Sequence, residues 1–264
     1  MLLAASRPPE PFDPPGLDIF EPPPIWSFDL FGLQFDITRV TLYMFLAAAI
    51  VIVLFVLAAS RPGLVPRGVR NVVELIVEFV REQIALQVIG REGLPWVPFL
   101  TAMFMFILVG NLFEVIPGIQ FPITSKMAIP AFLAGVTWII FNAVGFRAQG
   151  GRYLVNTLFP PGVPKAMYIL LTPIEFISVF LVRPFTLSVR LLANMIAGHL
   201  ILTIFFVGAV YLILSPPIGW LAGVPAFALG TALIAFEILV SILQAYIFTI
   251  LTAVYIAGAV HPEH

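Results

Sequence analysis

Residues 174–215 read IEFISVFLVRPFTLSVRLLANMIAGHLILTIFFVGAVYLILS, an apolar run with three charged side chains, Glu175, Arg183 and Arg190. As one helix it would be about 60 Å long, roughly twice the 30 Å thickness of a bilayer's hydrocarbon core. A second run, residues 225–260, also exceeds the length of an upright crossing. The two runs predict long, strongly tilted membrane helices, with Pro184 as a candidate kink in the first.

The composition agrees with a membrane protein. The chain is 61% hydrophobic and 10% charged, whereas soluble domains are about 25% charged. The net charge of −1 gives no basic surface for nucleic acid. The chain has no cysteine, which excludes disulfides and thiolate metal sites, and we predict neither a cofactor nor a metal. The N-terminus lacks the pattern of a cleavable signal peptide.

Further apolar runs at residues 40–60, 95–114 and 127–146 predict three more crossings. Residues 69–89 alternate apolar and charged faces at helical spacing, which predicts an amphipathic helix lying on the membrane. Residues 1–36 are acidic and proline-rich, and we expect a mostly irregular segment outside the bilayer. The sequence thus predicts an all-α integral membrane protein, with residues 37–264 forming one domain of five crossing helices and one interfacial helix.

Basic residues fix the expected orientation. They follow the first and third crossings, and basic loops stay on the cytoplasmic side. The N-terminus is therefore expected outside and the C-terminus in the cytoplasm. The residues concerned are Arg61, Arg67, Arg70, Arg147, Arg152 and Lys165.

Arg190 is the sharpest candidate for a functional residue. An ionised side chain at mid-bilayer costs about 2.5–3.5 kcal/mol on insertion scales, so it is functional by default. A guanidinium stays protonated, so it cannot relay protons. It can, however, hold a carboxylate ionised and block direct passage of protons across the membrane. The alternative is an arginine that snorkels to the interface.

The helical phase places Asn194, Ala197 and Arg183 on the Arg190 face. A polar stripe with small neighbours suits a surface that slides against another protein. For Asn194 alone, the alternative is a static hydrogen bond between two helices.

His199 lies nine residues after Arg190, half a turn out of phase, and is expected to face elsewhere. Glu237 is the only charged residue from Leu191 to Val260, and Gln244, seven residues on, shares its face. Histidine and glutamate both exchange protons, although a lone buried histidine is often structural. His199 and Glu237 lie at similar distances from the 216–225 turn, so we expect them to meet directly or through one water.

Two stretches resemble the signature of subunit a of F-type ATP synthases. They are RPFTLSVRLLANMIAGHLIL at 183–202 and FEILVSILQAYIFTILTAVYIAG at 236–258, with weaker echoes in PIEFIS and NLFEVIPG…FPITSK. The resemblance covers roughly residues 40–260. It implies that Arg190 is the family's essential stator charge and that Asn194, His199, Glu237 and Gln244 are half-channel positions. Histidine before glutamate is like the mitochondrial pattern.

The resemblance also implies a mechanism. In that family the subunit packs against a rotating ring of c subunits, each with one carboxylate, and two offset aqueous half-channels load and unload the ring. Other expected partners are the peripheral-stalk b subunits, the F1 sector and the lipid bilayer. The chain would be a non-catalytic, proton-translocating stator subunit, and we expect it in a bacterial plasma membrane. We expect His199 and Glu237 in the half-channel that opens outside.

Glu175 and Arg183 are two further candidates. Glu175 lies eight residues before Arg183, where the resemblance leads us to expect seven. The extra residue turns Glu175 by about 100° relative to Arg190, and a local π-bulge would absorb it.

Two other classes of protein remain as alternatives. A secondary ion-coupled transporter would bind its substrate or ion at Arg190 and Glu237, but it is expected to have internal repeats, and none is visible. An intramembrane protease needs a nucleophile with a base or an HExxH motif; no HExxH occurs, and Ser188 and Ser241 have no evident base partner.

Overall fold

The computed structural model describes residues 12, 14–30, 33–60, 68–159, 164, 167–215 and 219–260. The α-helices in these ranges are α1 (Arg39–Ala59), α2 (Val69–Phe79), α3 (Val97–Leu112), α4 (Ala128–Gln149), α5 (Arg152–Leu158), α6 (Tyr168–Ile177), α7 (Arg183–Leu214) and α8 (Gly219–Val260). Short 3-10 turns occupy Leu17–Phe20, Arg91–Trp96 and Ile123–Ser125.

Five helical segments are long and apolar enough to cross a membrane, which confirms the predicted number of crossings. They are Arg39–Ala59, Arg91–Leu112, Ala128–Gln149, Tyr168–Leu214 and Gly219–Val260. α8 begins before Pro225, where we expected the helix to start. Pro225 lies inside α8, beyond its first turn, and its ring removes one backbone donor from the helix.

Residues 168–214 form a continuous helical run of 47 residues that changes geometry once. Between α6 and α7, the five residues Ser178–Val182 form a π-helical turn. A π-turn holds an extra residue without breaking the helix. The bulge predicted between Glu175 and Arg183 is therefore confirmed, and Pro184 lies in the first turn of α7 just after it.

A helix is present within the predicted range 69–89 as α2, and it continues into a π-helical segment at Val80–Ile89. Its place on the membrane surface stays a prediction. α2 leaves Val72 exposed and buries Val73, whereas the π-helical segment buries Val80, Ile84 and Ile89 in the core. The second half of the segment is thus anchored to protein rather than to the membrane surface alone.

The N-terminal segment, which we expected to be mostly irregular, contains regular structure over part of its length. Two antiparallel strands, β1 (Trp26–Leu30) and β2 (Leu33–Ile37), pair with Trp26 opposite Ile37. Thr38 then caps α1 through a reciprocal contact with Thr41. Residues 1–11 of this segment and the basic residues Arg61, Arg67 and Lys165 lie outside the described residues.

The packing centres on α7 and α8, which contact each other along their length and are flanked by α3 and α4. Leu191, Met195, Phe248 and Ile256 are fully buried at these contacts. α5, which the sequence did not predict, folds back on α4 with the Tyr153 ring against Gly145. The opposite surfaces of α7 and α8 remain apolar and exposed, as lipid or another subunit requires.

Candidate functional site

Arg190 lies on the outer surface of the molecule, in the middle of the long helical run. Arg190, Ala193, Asn194 and Ala197 are all exposed and follow one face of α7. Within the residues that the structure describes, no acidic side chain forms an ion pair with Arg190. A permanent charge at membrane depth is therefore presented outward, beside alanines that allow a close approach.

Asn194 and Gln244 link this exposed face to the interior. The Asn194 amide donates a hydrogen bond of 2.7 Å to Gln244 Oε1, and Gln244 itself is buried. The bond joins α7 to α8 one turn beyond Arg190, so both predicted residues lie together at the edge of the exposed face.

Glu237 is buried between the same two helices, with its carboxylate against the backbone of Gly198. A side chain at position 198 would overlap that carboxylate. The glycine thus leaves the space in α7 that the glutamate of α8 occupies. Glu237 and Gln244 both face α7, as their seven-residue spacing predicted.

His199 does not make the direct contact with Glu237 that we expected. In the described part of the chain, His199 Nδ1 and Glu237 Oε2 have no hydrogen-bond partner. His199 Nδ1 instead approaches Glu114 Oε1, in the turn after α3, at 3.6 Å. A contact between His199 and Glu237 through one water stays a prediction.

Glu114 is the residue that sequence reasoning missed. It is 4% exposed, and within the described ranges neither carboxylate oxygen has a hydrogen-bond partner. Its place at the end of an apolar run made it look like an ordinary helix-end acid. The signal was available in NLFEVIPG, where a lone acid follows an apolar run and precedes a Pro-Gly turn.

Glu114, His199 and Glu237 form a buried ionisable cluster, in which Glu237 interacts electrostatically with both other groups. Ser241, one turn after Glu237, also buries a hydroxyl with no partner among the described residues. Buried polar atoms need protons, water or counter-charges. The cluster has the chemistry of a proton relay, with two carboxylates and an imidazole contributed by three parts of the chain.

Arg183 and Glu175 lie apart from this cluster. The Arg183 guanidinium stands over the Tyr255 ring at 5.4 Å from its centroid, and Glu175 is half-exposed on α6. Burial raises the pKa of Tyr153, on the nearby α5, above its ordinary value, while the Arg183 charge acts in the opposite direction. Arg183 shares the helical phase of Arg190, but its guanidinium is half-exposed and stands over the Tyr255 ring of α8.

The chain is similar to known proteins over nearly its whole length. It is 42% identical over 258 residues to ATP synthase subunit a of Frankia alni, covering 97% of this chain and 89% of that one. It is 43% identical over 262 residues to the subunit a of a Parafrankia strain, covering 98% and 87% of the two chains. With the protein of that name from Rhodococcus erythropolis it shares 40% over 255 residues, or 96% and 92%.

The family described as ATP synthase A chain matches residues 41–257. That range includes the exposed Arg190 face, the Asn194–Gln244 bond and all three members of the buried cluster. The match and the multi-pass helical architecture agree, and the chain belongs to the ATP synthase A chain family.

Proposed function

We propose that the chain is the non-catalytic stator subunit that carries protons across the membrane in a bacterial ATP synthase, with Arg190 as its stator charge. One observation carries the proposal: Arg190 is exposed at membrane depth and has no described acidic partner within its own chain. A cation at membrane depth needs a counter-charge, and we infer that a carboxylate of a second protein supplies it.

A ring of c subunits, each with one carboxylate, is the partner that fits this face. Two unit charges 4 Å apart attract by about 4 kcal/mol at an effective dielectric constant of 20. That is enough to keep a ring carboxylate ionised as it passes Arg190. A membrane potential contributes about 2.3 kcal/mol per charge for each 100 mV. This driving energy is of the same order as the attraction between Arg190 and the ring carboxylate, so the two charges separate when the ring is driven.

Glu114, His199 and Glu237 would form the proton path from the outside to the ring. His199 lies on the side of α7 opposite Arg190, with Glu114 beside it, so a proton that enters through these two groups does not meet the fixed positive charge. Asn194 and Gln244 are hydrogen-bonded to each other. They would supply polar side chains at the point where the proton path meets the ring. Arg190 then separates this path from a second one that opens to the cytoplasm.

The proposed setting is a bacterial plasma membrane, with the N-terminus outside and the C-terminus in the cytoplasm. The similar proteins named above come from bacteria, and the basic residues flanking the crossings favour this orientation. Besides the ring, the expected partners are the peripheral-stalk b subunits and, through the assembled complex, the F1 sector.

The test is ATP-driven proton pumping in inverted vesicles that contain the assembled complex. We expect Arg190→Ala to abolish pumping and to allow a passive proton leak, because the charge that separates the two paths is gone. Arg190→Lys should fail too, since lysine lacks the planar guanidinium and deprotonates when desolvated. Arg147→Ala, at an exposed arginine in the last turn of α4, is the matched control and should pump normally. Coupled pumping by either Arg190 variant rejects the stator assignment.

A further inference from the structure

The hairpin formed by β1 and β2 has two chemically different faces. Residues paired across an antiparallel sheet lie on the same face, and successive residues of a strand lie on opposite faces. Trp26 pairs with Ile37, whereas Ser27 pairs with Asp36 at the next register position. The remaining pairs continue this alternation of apolar with polar positions: Phe28–Phe35, Asp29–Gln34 and Leu30–Leu33. The register therefore gives the hairpin one face of apolar positions and one face of polar positions.

The polar face of the hairpin is turned towards the rest of the protein. Asp36 lines a cavity of about 750 Å³ together with Thr38 and with Leu192 of α7. Thr38 has an extended backbone, so Ile37 points away from the side on which Asp36 and Thr38 lie. Trp26 shares the face of Ile37 and is 69% exposed. The Trp26 face is therefore the side of the hairpin that faces away from the cavity.

The hairpin lies directly at the start of a crossing helix. Thr38 is the N-cap of α1, and the crossing segment begins at Arg39. With one residue between β2 and α1, the five-residue strands extend no more than about 17 Å from the membrane boundary. Leu42 and Phe45, in the first two turns of α1, are 51% and 64% exposed. Apolar surface suited to lipid thus begins immediately after the hairpin.

The chemistry of the Trp26 face fits a lipid headgroup region. A single two-stranded hairpin is only marginally stable in water and gains stability when its apolar face is covered. Tryptophan is enriched where crossing helices meet the membrane surface, because its ring is apolar while its N–H needs a polar partner. Both acidic residues of the strands, Asp29 and Asp36, lie on the opposite face. The Trp26 face therefore brings no carboxylate against the phosphates of a lipid surface.

We propose that the β1–β2 hairpin lies flat on the membrane surface at which α1 begins, with its Trp26 face inserted at the level of the phospholipid headgroups. The Ser27–Asp36 face then points to water and to the cavity. This inference goes beyond the proposed function and does not depend on Arg190 or on proton transfer. The contact fixes the depth at which α1 enters the bilayer, since α1 buries only Val40, Ala47 and Val51 against protein.

The proposal is tested with spin labels on the assembled complex in phospholipid vesicles. The chain has no cysteine, so Trp26→Cys and Ser27→Cys each give one labelling site in this subunit when the other subunits are cysteine-free. We expect the ratio of relaxation by oxygen to relaxation by a water-soluble nickel chelate to be about tenfold higher at position 26 than at position 27, because a polar chelate does not enter apolar surroundings. Val53→Cys, at a position 52% exposed in the middle of α1, is the control for a lipid-facing site.

Two results contradict the proposal. Equal access of the chelate to positions 26 and 27 places the whole hairpin in water. Protection of position 26 from both oxygen and the chelate shows that another protein covers the Trp26 face instead of lipid.

A second measurement keeps the native Trp26 face. The difference in fluorescence emission between the parent complex and a Trp26→Phe variant isolates Trp26 from the other three tryptophans of the chain. We expect this difference emission to be quenched by phospholipids brominated near the headgroup end of the acyl chains, and less by lipids brominated near the chain ends. Quenching by aqueous iodide without quenching by brominated lipid overturns the proposal, even if the cysteine variants fail to assemble.

Discussion

Gly198 determines where the Glu237 carboxylate lies. The helix α7 has no side chain at this point, and the carboxylate occupies the resulting space against the backbone. A buried acid without a fixed position is a poor proton carrier, because transfer requires the donor and acceptor within hydrogen-bonding reach. Gly198 therefore acts on proton transfer through Glu237, although it carries no titratable group itself.

We expect Gly198→Ala to slow ATP-driven proton pumping severely while the complex still assembles. The new methyl group displaces the carboxylate, and overpacking of this kind costs about 1–3 kcal/mol. The measurement is the initial rate of proton uptake in inverted vesicles, normalised to the amount of assembled complex. Gly135→Ala is the matched control, because a methyl group added at that helical position meets no atom within 4 Å. Equal rates for the two variants would contradict the role given to Gly198.

The sequence identified most of the residues that the structure brings together, and it missed Glu114 for a physical reason. Arg190, Asn194, Glu237 and Gln244 stand out because each is polar within a long apolar helix. Glu114 follows the last turn of α3, where an acid is unremarkable by hydropathy. The lone acid in NLFEVIPG was a weak signal, and the burial of Glu114 and its approach to His199 depend on tertiary contacts that no helical period encodes.

At the scale of single elements, α2 has two distinct faces. Arg70 and Glu74 form an ion pair on one of them, and Glu78 is exposed one turn further on. Val72 is 58% exposed although it is apolar, which suits a side chain in contact with lipid. We therefore expect α2 to lie in the membrane interface, with its charges in the water.

We expect cysteines at Glu74 and Glu78 to react with a water-soluble thiol reagent added on the cytoplasmic side, because these positions face the water there. A cysteine at Val72 is the control on the opposite face of the same helix, and it should react far more slowly. Reaction at Glu74 and Glu78 from the outside only would reverse the proposed orientation of the whole chain.

Short elements were less predictable than long ones. The strands β1 and β2 have five residues each, and α5 has seven. Elements this short show too few repeats of the strand or helix hydrophobic pattern to stand out from their polar and proline-rich surroundings. The π-turn was predictable from a one-residue difference in spacing between Glu175 and Arg183. The start of α8 was misplaced because proline usually marks a helix boundary, and here it lies inside.

At the scale of the whole molecule, helix length determines how the protein lies in its membrane. α8 has 42 residues, and at 1.5 Å per residue it is about 63 Å long. A hydrocarbon core of about 30 Å accommodates such a helix only if it is steeply inclined. The excess length of α8 could be predicted from the sequence directly. The contacts of Phe12 with Tyr211 and of Phe20 with His199 could not, because they form only when the complete chain folds.

We expect α7 and α8 to lie more than about 40° from the membrane normal, beyond the usual range for crossing helices. The measurement is an electron cryomicroscopy structure of the complex in lipid nanodiscs, with the bilayer visible. α1 has 21 residues and serves as an internal control, since it should stand near the usual inclination of about 20°. Two upright long helices would show that their ends extend into water instead.

The contact of Arg183 with Tyr255 has a consequence for how the ring would turn. Arg183 and Arg190 share one helical phase about 10 Å apart, so two free guanidiniums would offer a passing carboxylate two resting places. An aromatic face attracts a cation by about 0.5–2 kcal/mol, and here it holds the first of them. In the proposed complex, each ring carboxylate would therefore meet one free guanidinium on this face, that of Arg190, in each revolution.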